Sequence, residues 1–415
     1  MPSYYFRSTG STAWNLASNW SLTDGGLATG AVPTNADDAF FSNNSGNCVL
    51  NAASLVCKTL DFTKGTGYAN TFTITNPITV SGNVTLSSLM TITGANALTV
   101  NATANLKSNG KTMTTGTLTI SGAITVTMQD SWTVVNLSIG LSPTITLNAD
   151  LYITGTYTAI NTTGGATFSG AYIVYCPSFN LLSGSSYIAG SSGATVVING
   201  TGTITTGSAG GANTGFRIST TINHSGTTTI NGLSLQGGFP FVRTAGSVTI
   251  TGTVYMQNGT CTMTGFSGIT IPNLTISGAG VGCTAIFDFT TISGTLTTGI
   301  GPIIQDASGF SVGTLTSSTS GSSANITLTA SHTYTINTAI TINTTTSAGR
   351  VGFVSSIPGT KVILTLQQGA TQDLSFVNFT DINASLGKTI CTYKGTIVTS
   401  NNVRLLPTDV QTISY

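Results

Sequence analysis

The sequence predicts an all-β fold, a right-handed parallel β-helix (β-solenoid) with an N-terminal cap and a C-terminal β module. The first observation is composition, since the 415 residues include no glutamate, only 6% charged residues and 50 glycines. Helices depend on alanine, leucine, glutamate and lysine, whereas this chain is rich in β-branched residues and turn formers. The second observation is a pair of short phrases that recurs along the chain, as in stacked repeats.

Both phrases alternate apolar and polar residues. The first is a leucine, a polar residue and another apolar residue, and the second begins 16 to 20 residues later around a small turn. The first phrase occupies residues 60–62, 137–139, 233–235 and 274–276, and the second occupies residues 80–84, 153–157, 250–254 and 292–296. Such units cannot bury an apolar face alone, so they stack. We therefore expect these side chains to point inward: Leu60, Leu137, Leu233, Leu274, Val80, Ile153, Ile250 and Ile292.

Short strands separated by turns such as Ser81-Gly82 are expected along the main array. This pattern also describes a sandwich or barrel. The constant order and near-constant offset of the two phrases favour a coil instead. In the first part of the array the expected strands are Thr71–Thr75, Ile78–Val80, Val84–Leu86, Met90–Ile92, Leu98–Val100, Thr117–Ile120, Ile124–Thr127 and Thr144–Leu147.

Three segments are expected: a cap or attachment segment at 1–59, the β-helix array at 60–311 and a C-terminal β-solenoid module at 312–415. Trp14 and Trp20 are two of the three tryptophans, and we interpret them as a cap over the first coil. The alternative is an aromatic platform for sugars. Residues 207–216 are expected to form a loop, and residues 312–324 to mark a second boundary.

The charge pattern argues against nucleic-acid binding and membrane insertion. The formal net charge is +1 and the 12 basic residues are scattered, whereas phosphate binding needs clustered Lys and Arg. No stretch approaches the roughly 18 apolar residues of a membrane span. Residues 1–7 lack the basic and apolar regions of a secretory leader. A virion protein assembled in the host cytoplasm fits this pattern, as does a secreted protein whose leader has been removed.

The cysteines and histidines suggest no metal and no cofactor. The six cysteines show neither CxxC spacing nor histidine partners. Cys261 and Cys283 are 22 residues apart, close to one coil, and could stack on neighbouring coils; we interpret them as buried free thiols. His224 and His332 are the only histidines and have no Ser, Asp or Cys partner nearby in sequence. A triad is recognised by geometry, so that point stays open.

The aspartates are dispersed, so no catalytic residue is assigned and no enzyme activity is expected. The adjacent Asp37 and Asp38 would point to opposite faces of a strand. Asp373 and Asp381 are eight residues apart and could approach each other at a turn, as in a glycosidase pair. Roles in turns explain both sets better. A groove with convergent aspartates would favour an enzyme.

The C-terminal segment resembles right-handed parallel β-helix modules of phage virion proteins and bacterial surface proteins. The opening, with Asn19-Trp20, Val32-Pro33-Thr34 and Asp37-Asp38, resembles the start of the same class. The resemblance implies fold and setting, and a homotrimer, and it transfers no catalytic residues. It is carried in the C-terminal segment by residues 323–328, 333–336, 340–343, 354–366 and 377–382.

We therefore expect a structural virion protein of a bacteriophage: a fibre, a spike, or a capsid or tail decoration for surface display or host attachment. The protein would be assembled in the host cytoplasm and become extracellular with the released particle. Expected partners are copies of itself in a homotrimer, other virion proteins and host surface glycans. The alternatives are a bacterial surface adhesin and a carbohydrate-active β-helix enzyme.

Overall fold

The fold is all-β, and its strands stack in parallel into a β-solenoid of the right-handed type. The chain forms two compact units, Met1–Gly207 and Ser208–Tyr415. This computed structural model describes residues 2–7, 10–159, 167–181, 187–191, 195–198, 201–206, 216–219, 221–224, 227–230, 232–236, 238, 240–277, 282–317, 324–343, 350–392, 397–398, 401–402 and 405–407. The loop expected at 207–216 lies outside these residues, apart from Phe216.

The first unit contains strands β1 to β24 and one short 3-10 helix, Ala17–Asn19. The strands are β1 Ser3–Phe6, β2 Trp20–Ser21, β3 Asp38–Ser42, β4 Cys48–Val49, β5 Leu55–Cys57, β6 Thr59–Lys64, β7 Thr71–Thr73, β8 Ile78–Val80, β9 Val84–Thr85, β10 Thr91–Thr93, β11 Ala97–Val100, β12 Ala104–Lys107, β13 Thr112–Ser121, β14 Thr125–Met128, β15 Trp132–Gly140, β16 Thr144–Leu147, β17 Leu151–Ile153, β18 Thr156–Ala159, β19 Thr167–Ser169, β20 Ile173–Tyr175, β21 Ser178–Leu181, β22 Tyr187–Ser191, β23 Thr195–Ile198 and β24 Thr201–Thr206.

The second unit contains strands β25 to β48. They are β25 Phe216–Ser219, β26 Thr221–His224, β27 Thr227–Ile230, β28 Leu233–Gln236, β29 Pro240–Arg243, β30 Ser247–Ile250, β31 Thr253–Gln257, β32 Gly259–Thr264, β33 Thr270–Ile271, β34 Asn273–Ser277, β35 Cys283–Phe287, β36 Thr291–Thr298, β37 Ile303–Asp306, β38 Gly309–Ser317, β39 Ala324–Leu328, β40 Thr333–Asn343, β41 Val351–Ser355, β42 Val362–Leu366, β43 Thr371–Ser375, β44 Val377–Thr380, β45 Ile382–Asn383, β46 Ile390–Thr392, β47 Ile397–Val398 and β48 Leu405–Pro407.

Two long parallel ladders run through the first unit. Ladder A1 is β1-β3-β6-β9-β12-β14-β16-β19-β22. Ladder B1 begins β5-β8-β11-β13-β15 and then carries two strands in each coil. A short third ladder, β4-β7-β10, lies beside them. Successive coils of the chain therefore add one strand to each ladder.

The second unit is built in the same way. Ladder A2 contains β25-β28-β31-β34-β36-β38-β40, after which β42 and β43 both pair with β40. Ladder B2 contains β26-β29-β32-β35-β37-β39-β41-β44-β47. β38 crosses the boundary expected at 311/312, and β6 crosses the one expected at 59/60. Those segment boundaries stay predictions.

The core lies inside the coils, as the alternation predicted. All eight side chains expected to point inward are buried, and none is more than 4% exposed. The expected strands between residues 71 and 147 are present, with changed ends. The largest difference is β13, which begins at Thr112 because its first half pairs with β15 before a register shift between Met113 and Thr117.

Candidate functional site

The N-terminal aromatic residues form a cap. Trp14 and Trp20 are fully buried, and their ring centroids are 4.7 Å apart at 72°. Trp14 N donates to Val49 O at 2.9 Å, so this segment covers the outer edge of β4. β2 pairs antiparallel with β1 and partly covers the first strand of ladder A1. The alternative of a sugar platform is wrong for these two tryptophans, because a buried ring has no face for a sugar.

Several aspartates stabilise turns of a neighbouring coil. Asp130 accepts hydrogen bonds from the backbone N–H groups of Ser108 and Asn109, both at 2.7 Å. Asp37 accepts from Thr34 N at 2.9 Å and from Thr34 Oγ at 2.6 Å. Turn N–H groups have no ladder partner, and a carboxylate satisfies them strongly. This confirms the turn interpretation for Asp37.

The most concave surface among the described residues lies in the second unit, where ladder B2 strands turn into ladder A2 strands. We call each connecting segment a corner. The corners after β32, β35, β37, β39 and β41 are residues 265–269, 288–290, 307–308, 329–332 and 356–361. The shortest corner, 307–308, lies between longer ones, so the surface is recessed there.

This recess, which we call the corner groove, has a volume of about 460 Å³. That volume lies within the range of pockets that hold small ligands. Its lining residues are Thr264, Ile286, Phe287, Asp288, Gln305, Asp306, Ala307, Thr329 and Ser356.

The tight corner at 307–308 depends on Gly309 and Asp306. Gly309 has φ +85°, and a Cβ at this position would lie 2.1 Å from Thr333 O. Only glycine meets both conditions without strain. Gly309 N also donates to the carboxylate of Asp306, which closes the corner on itself.

Asp306 is the centre of a hydrogen-bonded cluster that joins two coils. Its side chain is only 1% exposed. Oδ1 accepts from the Tyr334 hydroxyl at 2.5 Å, and Oδ2 lies 2.9 Å from His332 Nδ1. Thr329 N donates to the Tyr334 hydroxyl at 3.0 Å. Burial, with the Asp306 charge as a smaller contribution, raises the pKa of Tyr334 well above its usual range.

His332 therefore has an aspartate partner that sequence proximity did not reveal. Asp306 and His332 are 26 residues apart, and β38 pairs Gly309 with Thr333. The aspartate and the histidine consequently meet on consecutive coils. A signal was available in principle, because 26 residues is close to the coil length in this part of the chain.

Asp288 forms one wall of the corner groove. Its Oδ2 accepts from Gly265 N at 2.7 Å and its Oδ1 from Phe266 N at 2.8 Å. Both oxygens are thus bonded to the five-residue corner of the preceding coil. Asp288 and Asp306 line one groove, but each carboxylate already accepts hydrogen bonds from the protein itself.

Asp373 and Asp381 occupy different kinds of position. Asp373 is exposed on β43, where it pairs with Thr341. Asp381 is buried in the link between β44 and β45, with φ +58°. Asn401 Nδ2 and Gly359 N donate to its carboxylate at 2.8 and 2.9 Å, and these hydrogen bonds lower the pKa of Asp381. This confirms the turn role for Asp381.

The two cysteines expected to stack do meet. Cys261 lies on β32 and Cys283 on the neighbouring strand β35, with 4.0 Å between the sulfur atoms. Both are free and buried, as interpreted from the sequence. A disulfide has an S–S distance of about 2.05 Å, so the two are not covalently paired. His224 is fully buried, contrary to the expected surface or turn position, and burial lowers its pKa.

The arrangement of the corner groove suits binding. It combines hydroxyl, amide and carboxylate groups with an exposed apolar surface, and its aspartates are held in place by backbone donors. Within the described part of the chain, no group of three His, Cys, Asp or Glu side chains could hold a metal ion. No described helix has the length and apolar character needed to cross a membrane.

Comparison with known proteins adds no assignment. No protein-family model, no curated protein and no solved structure matches this chain.

Proposed function

We propose that this chain is a structural virion protein of a bacteriophage, acting as a fibre, a spike or a decoration in surface display or host attachment. The observation that carries the proposal is the use of its polar residues. Aspartates such as Asp130 and Asp288 are bonded to turns of neighbouring coils. Stacked parallel coils with satisfied turns and a capped first strand resist unfolding and edge-to-edge aggregation.

The N-terminal cap is the proposed attachment end. Leu22 and Leu27 follow the buried Trp20, and Leu27 is 88% exposed. Leu16, on the other side of the 3-10 helix, is also exposed. Neighbouring exposed leucines are typical of a surface that a partner covers. Suitable partners are other copies of this chain in a homotrimer and other virion proteins.

Assembly is tested by light scattering on purified protein at micromolar concentration. The expected mass is three times that of one chain, and Leu22→Ser/Leu27→Ser should lower it. The buried cap residues are unchanged in this variant, so the coils should still fold. A stable monomer, together with no partner in the particle, would contradict the assembly proposal.

The setting is tested by immunogold labelling. Antibodies against the chain should label particles released from the host, and particle proteins digested for mass spectrometry should contain its peptides. Label confined to the bacterial envelope, with unlabelled particles, would instead support the surface adhesin.

The carbohydrate-active enzyme has one observation in its favour, the presence of Asp288 and Asp306 in one groove. Against it stand the hydrogen bonds that already engage both carboxylates. A general acid or base needs a proton-transferring atom within reach of the substrate. The structural function is therefore the better supported of the two.

A further inference from the structure

The corner groove has a floor that is part of a continuous sheet face. Ile286 on β35 and Gln305 on β37 are in-register partners, and the residues flanking each of them are buried. Alternation therefore places both side chains on the outer face of ladder B2. Thr264 and Thr329 add hydroxyl groups at the strand ends.

The groove extends along the stacking direction. Thr264 and Ser356 lie at the ends of β32 and β41, with β35, β37 and β39 between them. Neighbouring strands are about 4.8 Å apart, so five strands extend roughly 19 Å. A surface of this length suits a linear chain better than a compact small molecule.

The chemistry of the lining selects among linear chains. It contains two aspartates and no Lys, Arg or His, so a polyanion would meet only like charge. A peptide adding itself as a β-strand needs an open sheet edge. The floor here is a paired sheet face, so that mode is closed. Hydroxyl and amide groups beside an aliphatic surface match the hydroxyl groups and C–H faces of sugars.

We propose that the corner groove binds a linear neutral polysaccharide, with Ile286 packing against a sugar ring and Gln305 hydrogen-bonding to its hydroxyl groups. This inference rests on the proposed role in host attachment, and it names the chemistry that attachment would recognise. Asp288 and Asp306 set the selectivity by excluding anionic polymers.

The test is affinity electrophoresis of the full chain in native gels that contain dextran, mannan, starch or the anionic polymer alginate. We expect at least one neutral polymer to retard the protein and alginate not to. Ile286→Asn/Gln305→Ala should weaken that retardation roughly ten-fold. The matched control is Ile303→Asn, which changes an exposed isoleucine of β37 outside the groove lining and should bind normally.

A second variant does not depend on loss of binding. Gln305→Lys places a cation on the groove floor and should introduce retardation by alginate. The inference is overturned if no neutral polymer retards the protein, if the double variant binds like the unchanged chain, or if Gln305→Lys leaves alginate without effect. Stronger retardation by alginate or by added polylysine in the unchanged chain would also overturn it, in favour of a charged partner.

The two proposals can fail separately. Immunogold-labelled particles without polysaccharide binding would leave the virion assignment in place and remove only the groove. Polysaccharide binding by a protein found only on the bacterial envelope would do the opposite.

Discussion

Leu274 and Leu296 are in-register partners on the adjacent parallel strands β34 and β36, and both side chains are buried. Each leucine that opens a first phrase has the same relationship to the last apolar residue of the second phrase. The other pairs are Leu60 with Val84, Leu137 with Tyr157, and Leu233 with Val254. The offset between the phrases therefore measures one coil of the chain, and the two phrases stack on each other.

Charge inside a coil should destabilise the protein strongly. Ile153 is buried and pairs with Val134. Ile153→Asp should lower the free energy of unfolding by about 3 kcal/mol or more, because an unpaired carboxylate would replace core packing. Urea unfolding followed by circular dichroism measures the change. The neighbouring exposed Thr154 provides the control, since Thr154→Asp should change stability by about 0.5 kcal/mol or less. Equal losses in the two variants would contradict the inward position of Ile153.

Turn aspartates should contribute measurably to stability. Asp288→Ala leaves the N–H groups of Gly265 and Phe266 without their carboxylate. The expected loss is about 1–3 kcal/mol, because the bonds are charge-assisted and span two coils. Thermal unfolding of the variant should show a lower midpoint. Asp373→Asn, at an exposed strand position, should show a much smaller shift. A larger effect at Asp373 than at Asp288 would be inconsistent with the turn role.

Alkaline pH should weaken the second unit through Tyr334. Its pKa is raised above the ordinary value of 10.0, mainly by burial and then by Asp306. The folded state thus holds the proton more tightly than the unfolded state. The resulting stability is complete below about pH 10 and is lost as pH rises toward the folded pKa. Tyr334→Phe should therefore reduce the loss of stability between pH 9 and pH 11 in urea unfolding. An unchanged pH dependence would show that Tyr334 ionises equally in both states.

Depolymerising activity is not expected. The lowered pKa of Asp381 keeps that carboxylate ionised near neutral pH, which is unsuited to a general acid. Purified protein incubated with host capsule or lipopolysaccharide, with and without a chelator, should release no new reducing ends or unsaturated products. Product formation that disappears in Asp373→Asn or Asp381→Asn, or in Asp288→Asn or Asp306→Asn, would overturn the structural function.

The sequence was sufficient for the coils but not for the groove. Alternation placed Leu60, Ile153 and Ile292 in the core because burial in a strand follows a period of two. The meeting of Asp306 and His332 depends on the exact register between coils, and a change of one residue would turn every side chain to the other face. The groove depends on corner lengths, which follow strand ends, the least certain feature of any sequence pattern.

In-register parallel stacking is tested most directly by disulfide crosslinking on the outer face of ladder A2. Thr275 and Thr297 are Cα partners on neighbouring strands, and Thr316 is the partner of Thr297 one coil further on. Thr275→Cys/Thr297→Cys should crosslink on mild oxidation, because in-register Cα atoms are within disulfide range. Thr275→Cys/Thr316→Cys should not, since roughly 10 Å separates alternate strands. Peptide mass spectrometry distinguishes these links from any at the native cysteines. Crosslinking in both variants, or only in the second, would contradict the stacked solenoid.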